Sequence, residues 1–141
     1  MAVDLKTKRS QAGQLRESWL CAVADIADID LQRRTWLDPT SLIPHWSYIE
    51  FVSSYPDHEQ LMQPQREGWL MPGEFRLLDE LRAIVESYEP PRRDAYDNAA
   101  VLEDSTWHAV AAAADGARMR LLATAADKHE REALQGTNRV S

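Results

Sequence analysis

Apolar residues recur along this chain at helical rather than alternating spacing, most clearly in Trp69 to Pro91, WLMPGEFRLLDELRAIVESYEPP. At about 100° per residue, Leu77, Leu78, Leu81, Ile84, Val85 and Tyr88 fall within roughly a third of the circumference. Arg76, Asp79, Glu80, Glu86 and Ser87 take the opposite side. Pro72 suits the first turn, where its missing N–H costs nothing, and Pro90-Pro91 cannot extend the helix. The spacing predicts one helix over 72–88, with Trp69, Leu70 and Met71 stapling its entry against the core. The other helices are expected to pack around this stripe.

A first helix is read from about Asp4 to Ile29, with Leu15, Trp19, Ala22, Val23 and Ile26 on one face. Gly13 weakens its first half, which places a frayed start near Ser10. Asp25, Asp28 and Asp30 then fall at or near its C-terminus, where carboxylates oppose the helix dipole by a few tenths to about 1 kcal/mol. Either Arg33 and Arg34 offset them, or they form a docking spot for a partner's Lys or Arg. Residues 46–53 read as a helix with Pro44 in the first turn and Pro56 as the stop. His45, Tyr48, Ile49, Phe51, Val52 and Tyr55 share one of its faces; Ser47, Glu50, Ser53 and Ser54 share the other. Trp46 falls on the polar side, one turn before Glu50: either the 69–71 segment covers it, or it is an exposed anchor for a partner.

A short helix is expected over Asp57 to Met62, capped by Asp57 with Gln60 at the third position. Residues 89–98, EPPRRDAYDN, read as a polar connector. The last helical region runs from Ser105 to Leu134, capped by Asp104 or Ser105, with Trp107, Val110, Ala111, Ala114, Leu121, Leu122 and Ala125 on one stripe. It is expected to be nearly continuous, with a weak point at Gly116. Arg118 interrupts the stripe, so it must reach a carboxylate or snorkel to water. The run AVAAAA permits close approach of another helix. The pattern as a whole predicts an all-α single helical domain over 1–141, four to six helices with antiparallel neighbours, and a mobile tail over 135–141.

Length and charge refine this picture. A chain of 141 residues with five Trp can bury a sizeable core without metals or disulfides, and its one cysteine, Cys21, leaves no intrachain disulfide to form. The opening MAVDLKTKRSQ holds no apolar segment suited to a signal peptide, and no run approaches the roughly 18 apolar residues of a membrane span. A soluble, cytoplasmic protein with no membrane partner is expected. The net charge of −7 divides into +3 over residues 1–16, −11 over 17–104 and +1 over 105–141. Such an acidic middle repels nucleic acid and attracts a basic protein.

Templates for chemistry do not match. There is no phosphate-cradling glycine cluster, no G-x-S-x-G elbow and no H-E-x-x-H. His45, His58, His108 and His129 have no partner histidine one turn on, and DIADID lacks the glycine of a calcium loop. No catalytic set, metal site or cofactor is assigned, and Cys21 reads as an incidental thiol. The expected function is a small acidic protein-binding module, an inhibitor or immunity-type protein for a basic partner, with Asp25, Asp28, Asp30, Trp46 and Glu50 as partner-binding candidates. Two alternatives stand beside it. One is an enzyme whose site gathers scattered residues such as His45, Tyr48, Glu50 and His108. The other is a self-associating structural protein, a homodimer through a leftover apolar face.

Overall fold

The structure is a computed structural model that describes residues 2–37, 47–68, 70–125 and 128–135, with side chains from residue 14 onward. It is all-α. The described residues form α1 (Ala2–Ala27), α2 (Ile29–Trp36), α3 (Tyr48–Ser53), α4 (His58–Glu67), α5 (Pro72–Ser87), a 3-10 turn at Pro91–Arg93, α6 (Asn98–Glu103), α7 (Ser105–Thr124) and α8 (Lys128–Gln135). The Trp46 and Trp69 placements and the 136–141 tail lie outside the described residues.

The expected helix over 72–88 is α5, with Pro72 at its first position and the Glu74 carboxylate accepting from the Met71 N–H at 3.0 Å. Leu78, Leu81 and Val85 are buried, as is Tyr88 at its C-cap. Its apolar arc is wider than the core it serves: Leu77 is half-buried and Ile84 is 42% exposed.

The organising pair is not α5 with its neighbours but α1 with α7, the most extensively packed pair of helices, with α8 laid along α1. Trp19, Val23 and Ile26 of α1 enter the same core as Trp107, Val110, Ala114 and Leu121 of α7. Alanines let backbones approach closely, and α7 has Ala111, Ala114 and Ala117 on its buried side. Helix α5 flanks this pair, against α7 on one side and α4 on the other. Leu15, expected on the inner face of α1, is 42% exposed.

Several helix ends depart from the simple pattern, each for a visible reason. Helix α1 stops at Ala27 because the Asp28 carboxylate accepts from the Leu31 N–H at 3.0 Å and starts α2 as its N-cap. Asp28 and Asp30 therefore stand at a helix N-terminus, where negative charge is favourable, and do not oppose the dipole of a longer α1. In α4, Asp57 and Gln60 form the expected capping box, but the helix runs past Met62 and through the buried Pro64 to Gly68. Gly68 closes it at φ 84°, a left-handed cap suited to glycine. The short α6, unexpected from the pattern, is capped by Asp97.

Helix α7 passes Gly116 without a break and ends at Thr124, with Ala125 as its C-cap. Two arginines then cap across the α7–α8 junction. Arg131 of α8 donates to the Leu122 and Ala125 carbonyls at 3.1 and 3.0 Å. Arg118 of α7 donates to the Leu134 carbonyl at 3.3 Å and holds Asp115 at 2.9 Å, which is how it leaves the apolar stripe.

Candidate functional site

Two arrangements organise the polar chemistry of the interior. The first is centred on Gln32, which is fully buried among aromatic rings. Its Nε2 donates to the carbonyls of Asp25 and Ile26 at 3.0 and 2.9 Å, closing the C-terminus of α1. Its Oε1 accepts from the indole N–H of Trp107 at 2.8 Å. Trp107 is packed against Trp36, Tyr48 and Tyr88, with ring centroids 6.0, 5.3 and 5.1 Å away. The Tyr88 hydroxyl donates to Asp104 at 2.8 Å, and Asp104 caps α7 through the Thr106 N–H. Burial and then the Asp104 carboxylate push the Tyr88 hydroxyl well above the usual tyrosine value, so it stays protonated and donates to Asp104. The Gln32 amide, the Trp107 indole, the Tyr88 hydroxyl and the Asp104 carboxylate are thus all engaged in structural bonds.

The second arrangement lines a cavity of about 660 Å³ where α1, α5, α7 and α8 meet. Leu20, Leu77, Leu121 and Leu134 form its apolar wall, and Arg120 stands at the side given by α7. Arg16 bonds Glu74 through both terminal nitrogens, at 3.1 and 2.6 Å, and reaches Glu130 at 2.9 Å. One guanidinium thus ties α1 to α5 and α8. Burial alone would lower the Arg16 value, but the hydrogen bonds to Glu74 and Glu130 outweigh it and hold Arg16 firmly charged. Glu74 shows the converse balance: burial raises it, and the bonds from Arg16 and the Met71 N–H carry it below the usual range. A cavity of this size with few convergent polar groups is the form that ligand sites take, though its inner charges already satisfy one another.

On the outside of α4 and α5, His58 Nδ1 lies 2.8 Å from Asp79, whose same oxygen also accepts from Arg82 at 2.7 Å. A carboxylate can orient a histidine as a base. Here it also binds Arg82, which in turn holds Glu86 at 2.6 Å, so the group is a surface ion network joining two helices.

The partner-binding candidates that the structure describes stand on α1, on α3 and at the start of α2. Asp25 is half-buried and its carbonyl closes α1; the Asp28 carboxylate is the α2 cap; Asp30 faces solvent in the first turn of α2. Glu50 is exposed on α3, and Trp46 lies outside the described residues. Tyr48 and His108, named for a scattered catalytic site, are separately engaged. Tyr48 is buried in the aromatic cluster, and a His108 ring nitrogen contacts the Leu102 carbonyl.

Arg16 and Gln32 escaped the sequence reading, although each left a trace. Arg16 lies three residues before Trp19 and four before Leu20, within the apolar face of α1, and Gln32 lies one turn before the buried Trp36. Among the described residues no group of three His, Cys, Asp or Glu is placed to hold a metal ion, and no helix is long and apolar enough to cross a membrane. No family model, curated protein or solved structure matches the chain.

Proposed function

We propose that this chain is a small acidic binding module that docks onto a basic protein, in the manner of an inhibitor or immunity-type protein. The observation that carries the reading is the carboxylate excess of residues 17–104, a net −11. Part of that charge stands free in solvent: Asp30, Glu50, Glu59 and Glu103 are exposed and join no ion pair among the described residues. Unpaired charge of one sign extends the field beyond the surface and speeds encounter with an oppositely charged partner. Asp30 and Glu50 take the steering role. Asp25 and Asp28 add to the field from the α1–α2 junction, and Trp46 keeps the role of anchor that its place in the sequence suggests. The single cysteine, half-buried, fits a cytoplasmic setting.

The test is affinity capture at low and high salt, with mass spectrometry of the eluate and association kinetics on the partner so identified. A basic partner is expected, with association slowing once salt shortens the screening length to about 10 Å at 0.1 M. Asp30→Lys with Glu50→Lys should lower the association rate and leave dissociation nearly unchanged. A neutral or acidic partner held equally at all salt concentrations would overturn the reading.

A further inference from the structure

The cavity where α1, α5, α7 and α8 meet has a floor and a rim of different character. Leu20, Leu121 and Leu134 are buried at its floor, with Leu77 half-buried beside them. Met71, Gly73, Arg120 and Thr124 are exposed and mark where it opens to solvent. No aromatic ring is among its lining residues, so the walls offer no stacking partner and suit a flexible aliphatic body. Met71 is 63% exposed, a long unbranched side chain at the rim that the core leaves uncovered and that can adapt to a guest.

Charge decides the head group. The two carboxylates of the lining, Glu74 and Glu130, both hold Arg16, at 2.6 and 2.9 Å, and Glu74 also accepts from the Met71 N–H. A ligand cation would have to displace Arg16 to reach them. The Arg120 guanidinium lines the same cavity, yet it joins no ion pair or hydrogen bond among the described residues. A guanidinium matches a carboxylate with two N–H donors for two oxygens.

We propose that this cavity binds a small aliphatic acid, its chain against the leucine floor and its carboxylate on Arg120 at the rim. A volume of about 660 Å³ lies within the roughly 300–1,000 Å³ of small-molecule sites. Burial of the chain supplies most of the affinity, and the head group fixes which end faces out. Met71 folds over the chain where it passes the rim. The second cavity between α5 and α7, about 460 Å³ beside Ile84 and Ala113, has no charged side chain in its lining and so selects no head group. The proposal stands apart from the basic-partner reading, since none of the residues assigned to that partner lines the cavity.

Nuclear magnetic resonance of the full chain with labelled leucine methyls tests the proposal. Octanoate, 1-octanol and octylammonium share one chain and differ only in head group, and each is titrated well below the concentration at which it forms micelles. Octanoate should shift the methyls of Leu20, Leu77, Leu121 and Leu134 saturably. It should bind about threefold to tenfold more tightly than the other two, as fits a charge-assisted pair at an exposed rim. Arg120→Gln should remove that preference and leave 1-octanol binding unchanged; Arg120 is exposed, so the variant's methyl spectrum should remain that of the folded protein. The absence of saturable shifts at those four leucines overturns the proposal. So does equal binding of the three probes, or a preference for octanoate that survives Arg120→Gln.

Discussion

Replacing Gln32 with leucine gives the sharpest check on the interior, because a residue of similar length loses three hydrogen bonds at a fully buried position. The Trp107 indole N–H, fully buried as well, would be left unpartnered, and so would the Ile26 carbonyl. The Asp25 carbonyl would keep its 3.2 Å bond from the Asp28 N–H. An unsatisfied buried polar group costs about 1–3 kcal/mol, so two of them cost about 2–6 kcal/mol. Burying leucine in place of an amide returns part of this, and a net loss of about 2–4 kcal/mol is expected. Trp107→Phe removes the same hydrogen bond from the other side, and in addition leaves a void. In the double variant the orphaned indole no longer exists, so its cost should fall short of the summed single costs by about 1–3 kcal/mol. Urea unfolding at unchanged slope measures all three. Single costs that add to within about 0.5 kcal/mol would show that the two side chains are not bonded, and the account of the α1–α2–α7 junction would fail with them. Trp36 supplies an internal control: its indole N–H is buried without a hydrogen-bond partner among the described residues. Trp36→Phe should accordingly cost less than Trp107→Phe.

Glu74→Gln should destabilise the fold at neutral pH by about 1–3 kcal/mol, the worth of a charge-assisted bond lost at a part-buried site. The Glu74 carboxyl is held below its usual value, so its contribution is complete above the unfolded carboxyl range near 4 and is lost as pH falls through the folded value. The variant should therefore lose less stability than the unaltered protein between neutral and acid pH, and an unchanged acid limb would refute this. Arg131→Ala uncovers the last carbonyls of α7 and should speed amide hydrogen exchange over α8 while leaving α5 protected. Leu81→Ala should cost about 2–5 kcal/mol by denaturant midpoint, since Leu81 is buried within the core cluster. A cost below 1 kcal/mol would mean that α5 is less tightly packed than described.

What the sequence determined by itself was local: where an apolar face repeats, where a capping side chain precedes it, where a proline or glycine ends it. That sufficed for the all-α class, for α5 almost to the residue, for the Asp57–Gln60 box and for narrowing the α7 cap to Asp104 or Ser105. Periodicity and caps involve residues within a few positions of one another, so the order of the chain already holds them. It could not show that Gln32 would close α1 and receive Trp107, 75 positions away, or that Arg16 would join helices 58 and 114 residues downstream. Those bonds exist only because packing brings distant segments together and removes water, and the spacing of a polar residue in an apolar face signals the burial without naming the partner. The same holds for α1 and α7 as the organising pair. Helix α5 reads plainly as amphipathic, because one face stays wet. Helix α7 reads weakly by periodicity because alanines lie on its exposed side as well as its buried one, yet it makes the most extensive helix–helix contact, with α1. Whether Ile84 belongs to the core or to a surface was decided by tertiary geometry, because its exposure depends on what packs against that side of α5.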